Sequence, residues 1–123
     1  AAEQLAHAQR LYAEGREAAS QVGALVPAGG VSLASAANGA EPGPESSILK
    51  LKGTEIQQRI QKLTVEAGGL YSAAWGKKPV GHGFAKTGMS GYLASRAYTI
   101  YGGASEVQKD VIAKNVLGLK KAK

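Results

Sequence analysis

The chain contains no cysteine. A disulfide scaffold, a thiol nucleophile and a thiolate metal site are excluded, and a reducing compartment is the expected setting, so we read the protein as cytoplasmic. Aromatic residues make up only 6% of the chain. The two histidines, His7 and His82, fall in separate elements, and no ligand spacing of the metal-binding kind surrounds either. No metal is expected. No apolar run approaches the roughly 20 residues that span a bilayer. The first residues carry Glu3, His7 and Arg10 where a signal peptide has a basic start and an apolar core. No membrane partner is expected. There is no Gly-x-Ser-x-Gly elbow, and Gly76-Lys77-Lys78 lacks the flanking residues of a phosphate-binding loop. No catalytic constellation is complete within these residues.

What is present suits a single helical domain. The 123 residues are 44% hydrophobic and rich in alanine, the strongest helix former. The chain lacks an initiator Met and opens within a helical pattern, which we read as the mark of a fragment or a processed piece. The net charge of +6 is uneven. Residues 1–43 hold two basic and four acidic residues, net −2, and residues 44–123 hold 13 basic and five acidic, net +8. A basic half suits nucleic acid or an acidic partner. The charges are scattered and end in Lys120, Lys121 and Lys123, which favours a solvated face, so no nucleic acid is expected.

Periodicity predicts the elements. Residues 1–22 carry an apolar stripe of Leu5, Ala8, Leu11, Tyr12, Ala19 and Val22, with Gly15 a soft spot and Gly23 a stop. Residues 24–43 hold Pro27, Gly29-Gly30, Asn38-Gly39 and Pro42-Gly43, and read as a long loop. Residues 45–67 form the strongest helix, opened by Pro44 and Glu45, with Glu55 and Arg59 as an i,i+4 pair. Gly68-Gly69 ends or kinks it. Residues 70–87 read as mixed loop with one helical turn near the start, and 89–97 as a short helix or strand-like run. The last helix spans 104–117, with Gly118 as its stop. Ser105 and Gln108 fit a capping box at its start.

Two stretches go beyond pattern. Tyr98 to Gly118, YTIYGGASEVQKDVIAKNVLG, resembles the C-terminal signature of the acyl-CoA dehydrogenase family through Ile100, Tyr101, Gly103, Glu106 and Gln108, with Val107 a conservative variant. Upstream and in the same order, Pro44 to Arg59, PESSILKLKGTEIQQR, resembles the opening of that family's preceding long helix. Together they cover about a third of the chain.

The resemblance implies an all-α fold. Residues 1–123 would be part of the family's up-and-down C-terminal four-helix bundle, without its first long helix. It implies FAD as cofactor and α,β-dehydrogenation of an acyl-CoA thioester as the reaction of the whole protein, with this segment alone inactive. It further implies an electron-transfer flavoprotein or similar acceptor and a homo- or hetero-oligomer. By residue, the signature places Tyr101, Gly102 and Gly103 at the substrate, with the Gly103 amide polarising the thioester carbonyl. It places Ala104, Ser105 and Glu106 at FAD, Glu106 toward its ADP part. Gly68-Gly69 matches a Gly-rich turn that meets the FAD of a neighbouring subunit, although Val65 stands where the family keeps a Gln. Many members carry their catalytic base at the position of Gly102. Gly cannot abstract a proton, so no catalytic residue is assigned, and the base would lie on an earlier helix. The alternatives are a non-catalytic subunit of a mixed oligomer and a small basic helical interaction module.

Overall fold

The computed structural model describes residues 2–39, 43–74, 81 and 83–119. Among them four α-helices follow one another: α1 (Ala2–Ala37), α2 (Glu45–Ala73), α3 (Ala85–Ser95) and α4 (Ser105–Asn115), with a 3₁₀ turn at Arg96–Thr99 between the last two. Among the described residues there is no strand, so the all-α fold class holds. No helix among them is long and apolar enough to cross a membrane.

α1 corrects the expected boundary. Gly23 does not stop it, and the stretch read as loop from residue 24 is helical as far as Ala37, with Pro27 inside the helix. Residues 40–42 lie outside the described residues. The reason is docking. Leu25, half-buried, lies along α2 beside Leu49 and Ile56, and this apolar pairing offsets the local preference of Pro27 and the Gly29-Gly30 pair to break the helix, while Ala28 and Val31 only line the open cleft beside Ile48.

The α1–α2 contact is a seam of seven-residue spacing. Leu11, Ala18 and Leu25 lie on α1, and Leu63, Ile56 and Leu49 lie opposite on α2, sharing the clefts between the two helices. Ala18 and Ile56 are buried at its centre. Ion pairs flank the seam: Arg10 to Glu66 at 3.2 Å and Arg59 to Glu17 at 2.9 Å. As the α1 partner moves forward by seven residues, the α2 partner moves back by seven, so the helices run antiparallel, as in a coiled-coil-like packing. The expected stripe divides here. Leu11 serves the seam, whereas Leu5, Tyr12 and Val22 remain exposed. The expected Glu55–Arg59 pair does not form: Arg59 reaches across to Glu17, and Glu55 takes Lys52 at 2.9 Å.

α2 kinks where the glycine pair predicts an end or a kink. Gly69 adopts φ 54°, ψ −137° and the helix then resumes to Ala73. α3 packs closely on this half of α2 through small residues. Ala85, Gly88 and Ser95 are buried, and a Cβ added at Gly91 would meet Gln61 of α2. Gln58 of α2 donates to the Ser95 carbonyl at 2.9 Å. The 89–97 stretch is thus helix, continuous with Ala85, and the mixed loop expected up to residue 87 is shorter than predicted. Residues 75–80 and 82, with Trp75, Lys77, Lys78, Pro79 and His82, lie outside the described residues, as do Lys120, Lys121 and Lys123.

Candidate functional site

The candidate site is built where α3 runs out. The 3₁₀ turn closes with Ile100 and Tyr101 amides donating to the Ala97 carbonyl at 2.9 and 3.1 Å. The chain must then reverse into α4, and two successive glycines do this with φ of 67° at Gly102 and 93° at Gly103. Side chains other than glycine rarely adopt such angles. A Cβ at Gly102 would meet nothing, so that position is demanded by its backbone and not by crowding.

α4 starts differently from the expected capping box. Ala104 is the N-cap and makes no side-chain cap bond, and Ser105 is already helical. The Ser105 hydroxyl instead donates to the Thr99 carbonyl at 3.5 Å, and the Gln108 amide group donates to the Gly102 carbonyl at 3.4 Å. Both side chains are thus committed to the turn. The first backbone bond closing α4 runs from Gln108 N–H to the Ala104 carbonyl. Among the described residues, the amides of the preceding turn are left as donors at the positive end of the helix dipole.

A second helix holds the turn from the side. Lys50 of α2 donates to the Gly103 carbonyl at 2.6 Å. A groove of about 430 Å³ runs between α2 and the turn, with Leu49, Lys50, Gln57, Tyr98, Tyr101 and Gly102 among its lining residues. Tyr98 and Tyr101 meet edge-to-face at 5.5 Å. Loss of water around the Tyr101 hydroxyl, and then the Tyr98 phenol beside it, hold the Tyr101 phenol above its ordinary value, although the residue is 58% exposed. Tyr92 takes no part in the groove and lies under the Arg96 guanidinium at 4.5 Å.

The structure therefore gathers Tyr101, Gly102, Gly103, Ala104, Ser105 and Glu106 into one turn and helix start. Gly68 and Gly69 stand apart. They lie 18 or more residues beyond Lys50 on α2, about 27 Å at 1.5 Å per residue. Gly68 packs against Ser72, and Gly69 makes the kink. Sequence reasoning missed Lys50 and Gln57, which look like solvated positions of a periodic helix. Among the described residues no three His, Asp or Glu side chains gather to hold a metal ion.

A model of the protein family described as acyl-CoA dehydrogenase, C-terminal domain, matches residues 2–117. The chain belongs to that family. A stretch of 28 residues is 64% identical to Acyl-CoA dehydrogenase IpdE1 of Mycolicibacterium smegmatis, covering 23% of this chain and 7% of that protein. This acyl-CoA dehydrogenase domain thus aligns with only a small part of its curated relative. No solved structure matches the chain.

Proposed function

We propose that this domain is the C-terminal helical part of an FAD-dependent acyl-CoA dehydrogenase, which removes a proton and a hydride from the α and β carbons of an acyl-CoA thioester. The observation that carries the reading is the Gly102-Gly103 turn at the uncapped start of α4, in a chain whose family match runs through it. The donors left free at Ala104, Ser105 and Glu106 fit a ligand rich in polar acceptors, as a flavin dinucleotide is. When bound, FAD takes the hydride.

The chain's own residues then have separate tasks. The Gly103 amide donates to the thioester carbonyl, which makes the neighbouring C–H more acidic. Tyr101 walls the acyl side of the groove. Ala104 and Ser105 offer their backbone amides, the Ser105 hydroxyl being held by the turn, and Glu106 faces the cofactor. Gly102 leaves room and supplies no base, so the proton goes to a group elsewhere in the protein. Gly68-Gly69, remote from the turn, serves the FAD of a neighbouring subunit in an oligomer. We place the protein in the cytoplasm, with an electron-transfer flavoprotein or similar acceptor.

The missing base favours one second reading, a non-catalytic subunit of a mixed oligomer whose partner supplies the carboxylate. One preparation tests both. The full-length protein alone should carry bound FAD, visible in its absorption spectrum, and acyl-CoA should bleach it anaerobically. A yellow protein that acyl-CoA does not bleach supports the second reading. A colourless protein that takes up no added FAD defeats both.

A further inference from the structure

Lys50 and its neighbour Lys52 differ in what they hold. Lys52 pairs with the Glu55 carboxylate one turn along α2. The Lys50 ammonium instead reaches a backbone carbonyl 53 residues away, that of Gly103, and the contact is partly buried. A long, rotamer-rich side chain is thus held on a neutral backbone acceptor of another element. Its effect follows from peptide geometry. In a trans peptide the C=O and the next N–H point in opposite directions, so fixing the Gly103 carbonyl also fixes the direction of the Ala104 N–H. Gly103 has no side chain to restrict its own rotation. Gln108 holds the preceding peptide in the same way, through the Gly102 carbonyl.

We propose that Lys50 is a positioning residue for this turn. By holding the Gly103 carbonyl toward α2, it sets the Gly103–Ala104 peptide plane and aims the Ala104 amide away from α2. Two side chains from two helices thereby orient two successive amides at the start of α4. That these amides serve a thioester and a flavin rests on the function proposed above; the clamp itself does not.

The test compares Lys50→Met, which keeps the length and loses the donor, with Lys50→Arg, which keeps a cationic donor. Hydrogen exchange is followed in the full-length protein across residues 98–108, where the Ile100, Tyr101 and Gln108 amides are bonded in the turn. Lys50→Met should speed their exchange roughly tenfold, the worth of one hydrogen bond, and leave α1 unchanged. Lys50→Arg should restore most of the protection. On the flavin reading, Lys50→Met also lowers kcat at unchanged flavin content, and Lys50→Arg recovers it. Unchanged exchange in Lys50→Met, a uniform rise across all helices, or no recovery with Arg would overturn the clamp. A wild-type protein without flavin would sink the functional reading and leave the exchange result to judge Lys50.

Discussion

Two residues carry strain or cost that single substitutions can read. Ser72 is fully buried, and among the described residues its hydroxyl finds no partner. A helical serine usually bonds the carbonyl four residues back, but the Gly69 kink lies between Ser72 and that acceptor. An unpaired buried hydroxyl costs on the order of 1 kcal/mol or more. Ser72→Ala keeps the Cβ that fills the space beside Gly68 and Gly88, so it should stabilise the protein by about 1 kcal/mol, measured as a raised denaturation midpoint. Gly102 is the reverse case, with open space around it and a left-handed backbone. Gly102→Ala should cost about 1 kcal/mol. Gly102→Asn should cost less, because Asn tolerates this region. Equal losses for the two would show that backbone angle is not what selects glycine there. A carboxylate introduced as Gly102→Glu would bear the same penalty, so a proton acceptor cannot be added at this turn without loss of stability.

At the scale of elements, α1 is two helices in energetic terms. Its first half holds both ion pairs to α2, and its second half contains Pro27, Gly29 and Gly30 and exposes Val26, Val31 and Leu33. Proline inside a helix costs about 3 kcal/mol relative to alanine. Residues 24–37 should therefore exchange their amides much faster than residues 5–20, and Pro27→Ala should narrow the gap. Equal protection along α1 would contradict this. The Glu17–Arg59 contact adds a pH dependence. Arg59, first by its hydrogen bond and then by its charge, holds the Glu17 carboxyl below its ordinary value. A group lowered by folding stabilises above its unfolded value and loses that effect as pH falls through its folded one. Docking of α1 should thus weaken progressively as pH falls from the ordinary carboxylate value through the lower folded value of Glu17, and Glu17→Gln should abolish that part of the acid sensitivity. An acid transition identical in Glu17→Gln and wild type would rule the pair out. The elements themselves were legible where apolar spacing and punctuation agree, as from Pro44 to the glycine pair. They were illegible where tertiary contact overrides a breaker, as at Pro27. Of the candidate site, the turn through Gly102, Gly103 and the start of α4 was legible as local structure. Its support was hidden, because nothing in the local spacing of Lys50 reveals a partner on another element.

The molecule as a whole buries little. Among the described residues Ala18, Ile56 and Ala85 are the buried hydrophobic side chains, while Leu5, Tyr12, Val26, Leu33, Leu70 and Tyr101 are among the large ones exposed. Apolar surface of this extent drives association. The 123-residue chain on its own should self-associate and bind a hydrophobic dye, and sedimentation as a dye-negative monomer at high concentration would speak against it. One feature of the α1–α2 seam bears on how such a sparse core finds a single arrangement. Leucine, alanine and isoleucine recur there every seven residues on both helices, so the apolar contact by itself is nearly blind to a slip of seven. The charges are not. A slip one way brings Arg10 opposite Arg59 and Glu3 opposite Glu66, against a single attractive encounter of Glu17 with Lys52, and a slip the other way brings Glu17 opposite Glu66. The like-charged encounters prevail in both directions, and none of them occurs in the native alignment, where Arg10 meets Glu66 and Glu17 meets Arg59. Exposed pairs of this kind add little to stability singly. Their worth lies in discrimination: they form a two-letter alignment code that rejects the nearest misregistered partners in both directions, and that fades as salt screens it.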